Sequence, residues 1–283
     1  MKILLSGCNG QLAKSLLSVK GGSCRILAKS SIELDITVYS NIEKVVLEYK
    51  PDIIINAAAY TAVDKAESEP ENAAAVNCIG PENLAIAAKE VGARLIHVST
   101  DYVFDGSGNV PYLETDSVNP LGVYGQTKLA GELLVRSILP DAIILRTAWV
   151  FSEYGNNFLK TMLRLGAERN ELGIVSDQIV CPTYAGDIAS ASYNLIDKNA
   201  PGGIYHYCGD QEVSWAGFAE AIFDYANQSG KLASKPKVNH IDTSSYPTPA
   251  KRPAYSVLST KKIERYYPAS DWKIALQKVI DSL

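Results

Sequence analysis

The chain has 283 residues, 47% of them hydrophobic and 20% charged, a balance too apolar for disorder and too mixed for a coiled coil or collagen. Its 27 basic and 31 acidic residues leave a net charge of −4, so there is no basic field to hold a nucleic-acid backbone, and a nucleic-acid partner is not expected. The length allows one large core or two smaller ones, and two is the expectation.

The apolar stretch Ile3–Leu5 is closed at once by Ser6-Gly7, far short of the roughly 20 residues of a membrane span or the centre of an export signal. No membrane association is expected. The cysteines (Cys8, Cys24, Cys78, Cys181, Cys208) are scattered, with no Cys-x-x-Cys pair. That fits reduced thiols and a cytoplasmic location better than a disulfide framework or a zinc site. The few histidines stand far apart, so no metal is expected either.

In chain order, Lys2–Ser6, Ser23–Ala28, Asp52–Ala57, Arg94–Ser99 and Ala142–Val150 read as strands. They are apolar nearly throughout, as strands covered on both faces must be. Between them run helical stripes such as Ile42, Val45, Val46, Tyr49 and Leu84, Ala87, Ala88, Val91. Alternation of this kind predicts an α/β doubly wound parallel sheet. Beyond residue 150 the pattern loosens: Asn156–Glu168, Ala185–Ile196 and Trp215–Ala226 read as helical, Gly173–Val180 and Gly203–Cys208 as extended. Ser244–Pro253 is a Pro-rich loop, and a closing helix starts near Asp271, a good N-cap. The expected division is a dinucleotide-binding domain over 1–150 and a smaller, mainly substrate-binding domain over 151–283, with 185–197 as a candidate to pack back on the first.

Three signals carry chemistry. Gly7-Cys8-Asn9-Gly10-Gln11-Leu12-Ala13 follows the first strand directly. A tight strand-to-helix turn needs glycine, and a helix beginning at Gln11 offers free N–H groups and its positive dipole end to a pyrophosphate. Ala13 is small enough for close helix–strand packing. At the end of the second strand stand Lys29, Ser30 and Ser31, with no carboxylate before Glu33. A cation with two hydroxyls suits a 2′-phosphate, so NADPH is expected, with NADH as the alternative; an ordinary solvated lysine is the bland reading.

The third signal sets the reaction class. Ser99-Thr100-Asp101 ends a strand, where open α/β sheets bind ligands. Downstream, Tyr124 and Lys128 are four apart, on one helical face about 6 Å apart along the axis. A nearby ammonium is expected to lower the phenol pKa and make it a usable proton donor to a ketone oxygen, with a Thr or Ser hydroxyl supporting the same oxygen. The combination reads as hydride transfer.

With these residues in place, the chain resembles the extended short-chain dehydrogenase/reductases with a Rossmann-type sheet, and among them the dTDP-4-dehydrorhamnose reductase family. The matching stretches are Gly7–Leu12, Asn56–Pro70, Ser99–Gly106, Asn119–Glu132, Arg146–Trp149, Asn156–Phe158, Asp177-Gln178 and Tyr246–Pro253, spread in order over almost the whole chain. The resemblance implies reduction by NADPH of the C4 ketone of dTDP-4-dehydro-β-L-rhamnose, the last step of dTDP-rhamnose biosynthesis. It implies Tyr124 as proton donor, Lys128 as holder of the nicotinamide ribose, and Thr100 on the sugar carbonyl oxygen with Asp101 beside it. Val63 and Trp149 would line the deoxysugar pocket, and Asn157 and Arg252 would hold the sugar diphosphate. An Arg fork suits phosphate oxygens on geometric grounds as well. Gly7, Gly10, Gln11, Leu12, Asp35, Ile36, Ala59, Tyr60 and Thr61 would contact the dinucleotide.

The chain departs from the pattern in places. Ser15 stands where some relatives carry Glu, and Leu283 ends the sequence without an acidic tail, so no carboxylate-built metal site at a dimer interface is expected. Val180-Cys181 interrupts the family's Asp-Gln-x-Gly-x-Pro run. His97 reads as a hydrogen-bonded core histidine, and Glu67, Glu69 and Glu71 as a solvated charged loop. Monomer and homodimer are both open. So are two other functions: another nucleotide-sugar reductase or epimerase, and a non-catalytic regulatory subunit on the same fold.

Overall fold

The computed structural model of the chain describes residues 1–19 and 24–283. Strand β1 (Lys2–Ser6) leads to helix α1 (Gln11–Ser18), β2 (Arg25–Lys29), α2 (Tyr39–Tyr49) and β3 (Ile53–Asn56). The short helices α3 (Val63–Ala66) and α4 (Pro70–Ala74) and a π-helical turn (Ala75–Ile79) run into α5 (Gly80–Val91) and β4 (Arg94–Thr100). A 3-10 turn (Asp101–Val103) precedes α6 (Val123–Ile138), β5 (Ile143–Thr147) and β6 (Val150–Phe151). Then come α7 (Phe158–Glu168), β7 (Glu171–Val175), β8 (Ile179–Val180), β9 (Thr183–Tyr184) and α8 (Ala185–Asp197). The chain closes with β10 (Gly203–His206), β11 (Val213–Ser214), α9 (Trp215–Gln228), β12 (Lys237–Ile241) and α10 (Trp272–Ser282).

The main sheet is six-stranded and parallel, in the order β10-β5-β4-β3-β1-β2. Every residue of β3 and β5 is buried, because helices cover both faces. On one face α1 and α8 seal Ile3, Leu5, Ile96 and Leu145; on the other α2 and α5 seal Leu4, Ile54, Leu95 and Ile144. Each such side chain contributes about 1.5–3 kcal/mol on burial. The strand order reverses between β1 and β3, so the loops leaving their carboxyl ends diverge and open a crevice there.

A third core, around Phe151, Met162, Phe218, Phe223, Trp272 and Leu276, gathers α7, α9 and α10 beside the sheet. Sequence order and space part company here. Ile188, Ala189 and Leu195 of α8 lie in the same core as Ile3 and Leu5, and β10 adds an edge strand beside β5.

Several boundaries differ from the expected ones. The second strand runs Arg25–Lys29, and Ser23 lies outside the described residues. The expected single strand Ala142–Val150 is cut after Thr147. Trp149 has φ +41°, a left-handed conformation that turns the chain out of the sheet before β6 pairs with β9. Gly173–Val180 divides into β7, paired with β12, and β8, paired with β11. Strand β12 is half-buried and polar, so it carries no periodic signal.

Candidate active site

The turn after β1 is built for a close neighbour. Gly7 has φ +76°, and a Cβ there would meet the backbone of Ala58 at 2.7 Å. No side chain caps α1 at Gly10, so the first-turn N–H groups are left for a ligand. They open on a cleft of about 590 Å³, a volume suited to a cofactor. One wall is Gly7, Gly10, Gln11 and Leu12; a second is Ser31, Leu34, Asp35, Ile36 and Thr37; a third is Ala57–Thr61. Tyr124 and Lys128 line it as well, with Ser99 and Thr147, whose hydroxyls are buried without a protein partner. A glycine cradle, free helix N–H groups, an aliphatic slot at Leu34 and Ile36 and unused hydroxyls all fit a dinucleotide.

Support for these walls comes from residues to which the sequence assigned no role in the site. Asn77, in the π-helical turn, accepts from the Tyr60 N–H at 2.8 Å and donates to its carbonyl at 3.0 Å, fixing the Ala59–Thr61 wall. Glu67 accepts from the Val123 N–H at 2.8 Å, capping the helix that carries Tyr124. Glu69 accepts from the Tyr60 hydroxyl at 2.9 Å and pairs with Lys65 at 2.7 Å. Glu67 and Glu69 are therefore structural, not a solvated loop; their partners are too distant in sequence or too local in geometry for periodicity to show.

At the reacting end, Thr100 lies close enough to the Tyr124 phenol to oppose the rise of its pKa. Its own hydroxyl donates to Asp101 Oδ1 at 3.1 Å and accepts from the Tyr102 N–H at 3.2 Å. Burial pushes the Asp101 carboxyl up to about 6, although Ser256 donates to Oδ2 at 2.6 Å and opposes that rise. The expected lowering of the Tyr124 phenol does not occur. Burial raises it to about 12, with Thr100 opposing the rise. The Lys128 ammonium donates to the Val98 carbonyl at 2.7 Å, and burial lowers it to about 8. Loss of water acts on both groups more strongly than one acts on the other.

The remaining predicted residues stand outside the cleft walls. Lys29 lies 3.8 Å from Glu33, whose carboxylate also takes the N–H and hydroxyl of Ser30 at 2.9 and 2.7 Å. Val63 is half-buried at the start of α3, and its neighbour Asp64 fills the Arg252 fork at 3.0 and 2.7 Å. Asn157 caps α7 by accepting from Lys160 N–H at 3.0 Å, and its amide donates to Gln11 Oε1 and Ser152 O, both at 2.8 Å. Trp149 stacks on Trp215 with centroids 3.4 Å apart. Neither Asp64 nor Trp215 carried an expectation, since each matters only through a partner far along the chain. Among the described residues, no group of three or more His, Cys, Asp or Glu side chains gathers as a metal site, and no helix is long and apolar enough to cross a membrane.

A parallel α/β sheet with a glycine cradle at its switch point and a Tyr–Lys pair in the cleft defines a Rossmann-type NAD(P)-dependent oxidoreductase. The family model described as RmlD substrate binding domain matches residues 1–283, and the chain belongs to that family. It is 48% identical to a dTDP-4-dehydrorhamnose reductase of Aggregatibacter actinomycetemcomitans over 98% of both chains. Among solved structures it superposes with a TM-score of 0.94 on a dTDP-4-dehydrorhamnose reductase from Clostridium acetobutylicum, at 41% identity over 100% of this chain and 99% of that one. It matches the Bacillus anthracis dTDP-4-dehydrorhamnose reductase in complex with NADP equally well, with a TM-score of 0.94 and 38% identity over 100% and 99% of the two chains.

Proposed function

We propose that this chain reduces the C4 ketone of dTDP-4-dehydro-β-L-rhamnose to dTDP-β-L-rhamnose with NADPH, as a cytoplasmic enzyme of dTDP-rhamnose biosynthesis. The observation that carries the reading is that Tyr124 and Lys128, with Thr100 beside Tyr124, share one cleft with the Gly7–Leu12 cradle, in a chain that matches the reductase family throughout.

Bound in the cleft, NADPH supplies the hydride. The α1 N-terminus and Gly7 hold the pyrophosphate, and Lys128 holds the nicotinamide ribose. Tyr124, raised to about 12, is almost wholly protonated at neutral pH and stores the proton against the ketone oxygen. An alkoxide is as basic as hydroxide, about 16, so even this weakened phenol gives its proton readily. Thr100 steadies the oxygen as charge develops on it. Trp149, with Trp215 behind it, and Val63 bound the deoxysugar. Arg252 exchanges Asp64 for the sugar diphosphate, whose greater charge favours the exchange.

The test is incubation of purified protein with the ketosugar and NADPH. Loss of NADPH absorbance together with rhamnose stereochemistry at C4 supports the reading. No turnover, or turnover of a different nucleotide sugar alone, overturns it.

A further inference from the structure

Two residues of the matched stretches have no part in the chemistry derived above. Glu132 and Arg146 form an ion pair in which each side chain is only 2% exposed. The guanidinium grips the carboxylate with Nε at 2.9 and 3.2 Å from its two oxygens and Nη2 at 2.7 Å from Oε2. Arg146 also lies over the Phe104 ring, 5.3 Å from its centroid, and its Nη1 is 3.5 Å from His206 Nε2.

The placement of this pair is informative. Tyr124, Lys128 and Glu132 recur every four residues and form one stripe along α6. Arg146 precedes Thr147, a cleft residue, and sits beside Ser99 in the β4–β5 register, one position before the Thr100–Thr147 pair. The clamp therefore fastens α6 to β5 at the level of the reacting end. It also puts a carboxylate one turn from an ammonium that has left water, where an uncompensated charge is costly.

We propose that Glu132, clamped by Arg146, is a positioning residue that acts through Lys128, holding its side chain cationic and in place at the ribose end of the cleft; this rests on the role given to Lys128 above. The groups around Lys128 support it. Tyr124 and Glu132 lie one turn to either side of it on α6, His97 acts on it from β4, and His206 lies behind the clamp against Arg146. His97 accepts from Asn56 and is held neutral by burial and by Lys128 itself. His206 is lowered to about 3 by burial first and by Arg146 second. Of all these, Glu132 is the group whose charge opposes the effect of burial on Lys128.

The experiment measures NADPH dissociation constants and turnover against pH for wild type, Glu132→Asp and the double variant Glu132→Met/Arg146→Met, with thermal melts. Replacing both partners by apolar side chains spares the fold an unpaired charge. The expected result is a folded double variant whose loss of NADPH affinity at alkaline pH begins about one unit lower than in wild type, with affinity at pH 8 down several-fold. Glu132→Asp draws the carboxylate back from Lys128 and gives a smaller shift the same way. A folded double variant with the wild-type pH profile overturns the inference; if the double variant does not fold, an unshifted profile in Glu132→Asp does so alone. Wild type that binds NADPH with this pH dependence yet reduces no ketosugar would instead overturn the proposed reaction.

Discussion

The dinucleotide cleft and the proposed substrate-binding residues outside its walls differ in how much of their polar chemistry the protein already uses. On the dinucleotide side the α1 N-terminus is uncapped, and the Ser99 and Thr147 hydroxyls have no protein partner. On the substrate side Arg252 is occupied by Asp64, Asn157 by Gln11 and Ser152, and Trp149 by Trp215. A ligand on the first side adds interactions to a frame that waits for them. A ligand on the second must displace existing partners, so its net gain is a difference between two good sets of contacts. Affinity for the cofactor should therefore respond steeply to changes in the frame, and affinity for the sugar should respond shallowly.

The largest effect tests whether chemistry separates from either side. Tyr124→Phe keeps the ring, which packs edge-on to Tyr102 with centroids 5.5 Å apart, and removes the stored proton. Turnover should fall by about 10²- to 10⁴-fold, while the NADPH dissociation constant stays near its wild-type value. A folded variant with near wild-type turnover would place the proton elsewhere. Next comes the frame itself. Gly7→Val forces a Cβ to within 2.7 Å of the Ala58 backbone at φ +76°. Strain of about 1–3 kcal/mol, added to the displaced turn, should cost NADPH affinity more than about tenfold. Isothermal titration of the folded variant reads this directly, and unchanged affinity would remove the cradle from the site.

Wild type alone offers a third test. Lys128, lowered to about 8 by burial, is a cation below that pH and neutral above it. NADPH affinity should hold steady at lower pH and weaken as pH rises through about 8, and a profile flat to pH 10 would sink the assignment. Sugar-nucleotide affinity should not share this break, because burial, which acts to lower Arg252, is outweighed by Asp64 and Tyr102, so that Arg252 is raised above its ordinary value and stays charged.

The same contrast explains what the sequence revealed. Of the residues lining the cleft, Ala59–Thr61 were named by resemblance alone, but Gly7–Leu12 and Tyr124 with Lys128 one turn later were legible as short, local runs. Each sits at the end of a buried strand or on a helix whose periodicity announces it. The substrate side is made of pairs remote along the chain, 188 residues apart for Asp64 and Arg252 and 146 for Gln11 and Asn157. No local pattern encodes such contacts. Resemblance named Arg252, Asn157 and Gln11, but neither Asp64 as the partner of Arg252 nor the pairing of Asn157 with Gln11. The break at Trp149 was hidden for a related reason, since a left-handed tryptophan within an apolar run follows from its stacking on Trp215 and not from its own preferences. The sign of the Tyr124 shift was missed because spacing shows that a lysine is near, not that both groups have left water.

A smaller effect probes the occupied side. Asp64→Asn removes the carboxylate that competes with a diphosphate for Arg252, a pair in which the Asp64 side chain is 41% exposed. Exposed pairs are worth up to about 1 kcal/mol, so KM for the dTDP-sugar should fall by up to about fivefold with kcat little changed. A rise in KM would mean that Asp64 orients Arg252 for the substrate instead of withholding it.

The smallest effect concerns the choice of cofactor. Lys29 ends β2 two residues before Ser31, where one wall of the cleft begins, and its ammonium is only 3.8 Å from Glu33, a loose pair on a partly exposed surface. Glu33 is held mainly by the Ser30 N–H and hydroxyl, so it stays in place whatever occupies position 29. Lys29→Asp therefore changes the local charge without releasing Glu33. A bound 2′-phosphate loses one partly screened cation and gains an anion, and the partial exposure keeps the penalty near 1 kcal/mol. KM for NADPH should rise by about two- to fivefold, and KM for NADH should stay level or fall slightly, since a 2′-hydroxyl has no charge to repel. Raising the ionic strength should shrink the difference, as it must for an exposed electrostatic effect. If both KM values remain as in wild type at low salt, Lys29 is an ordinary solvated lysine and the preference for NADPH is set along the Ser31–Thr37 wall instead.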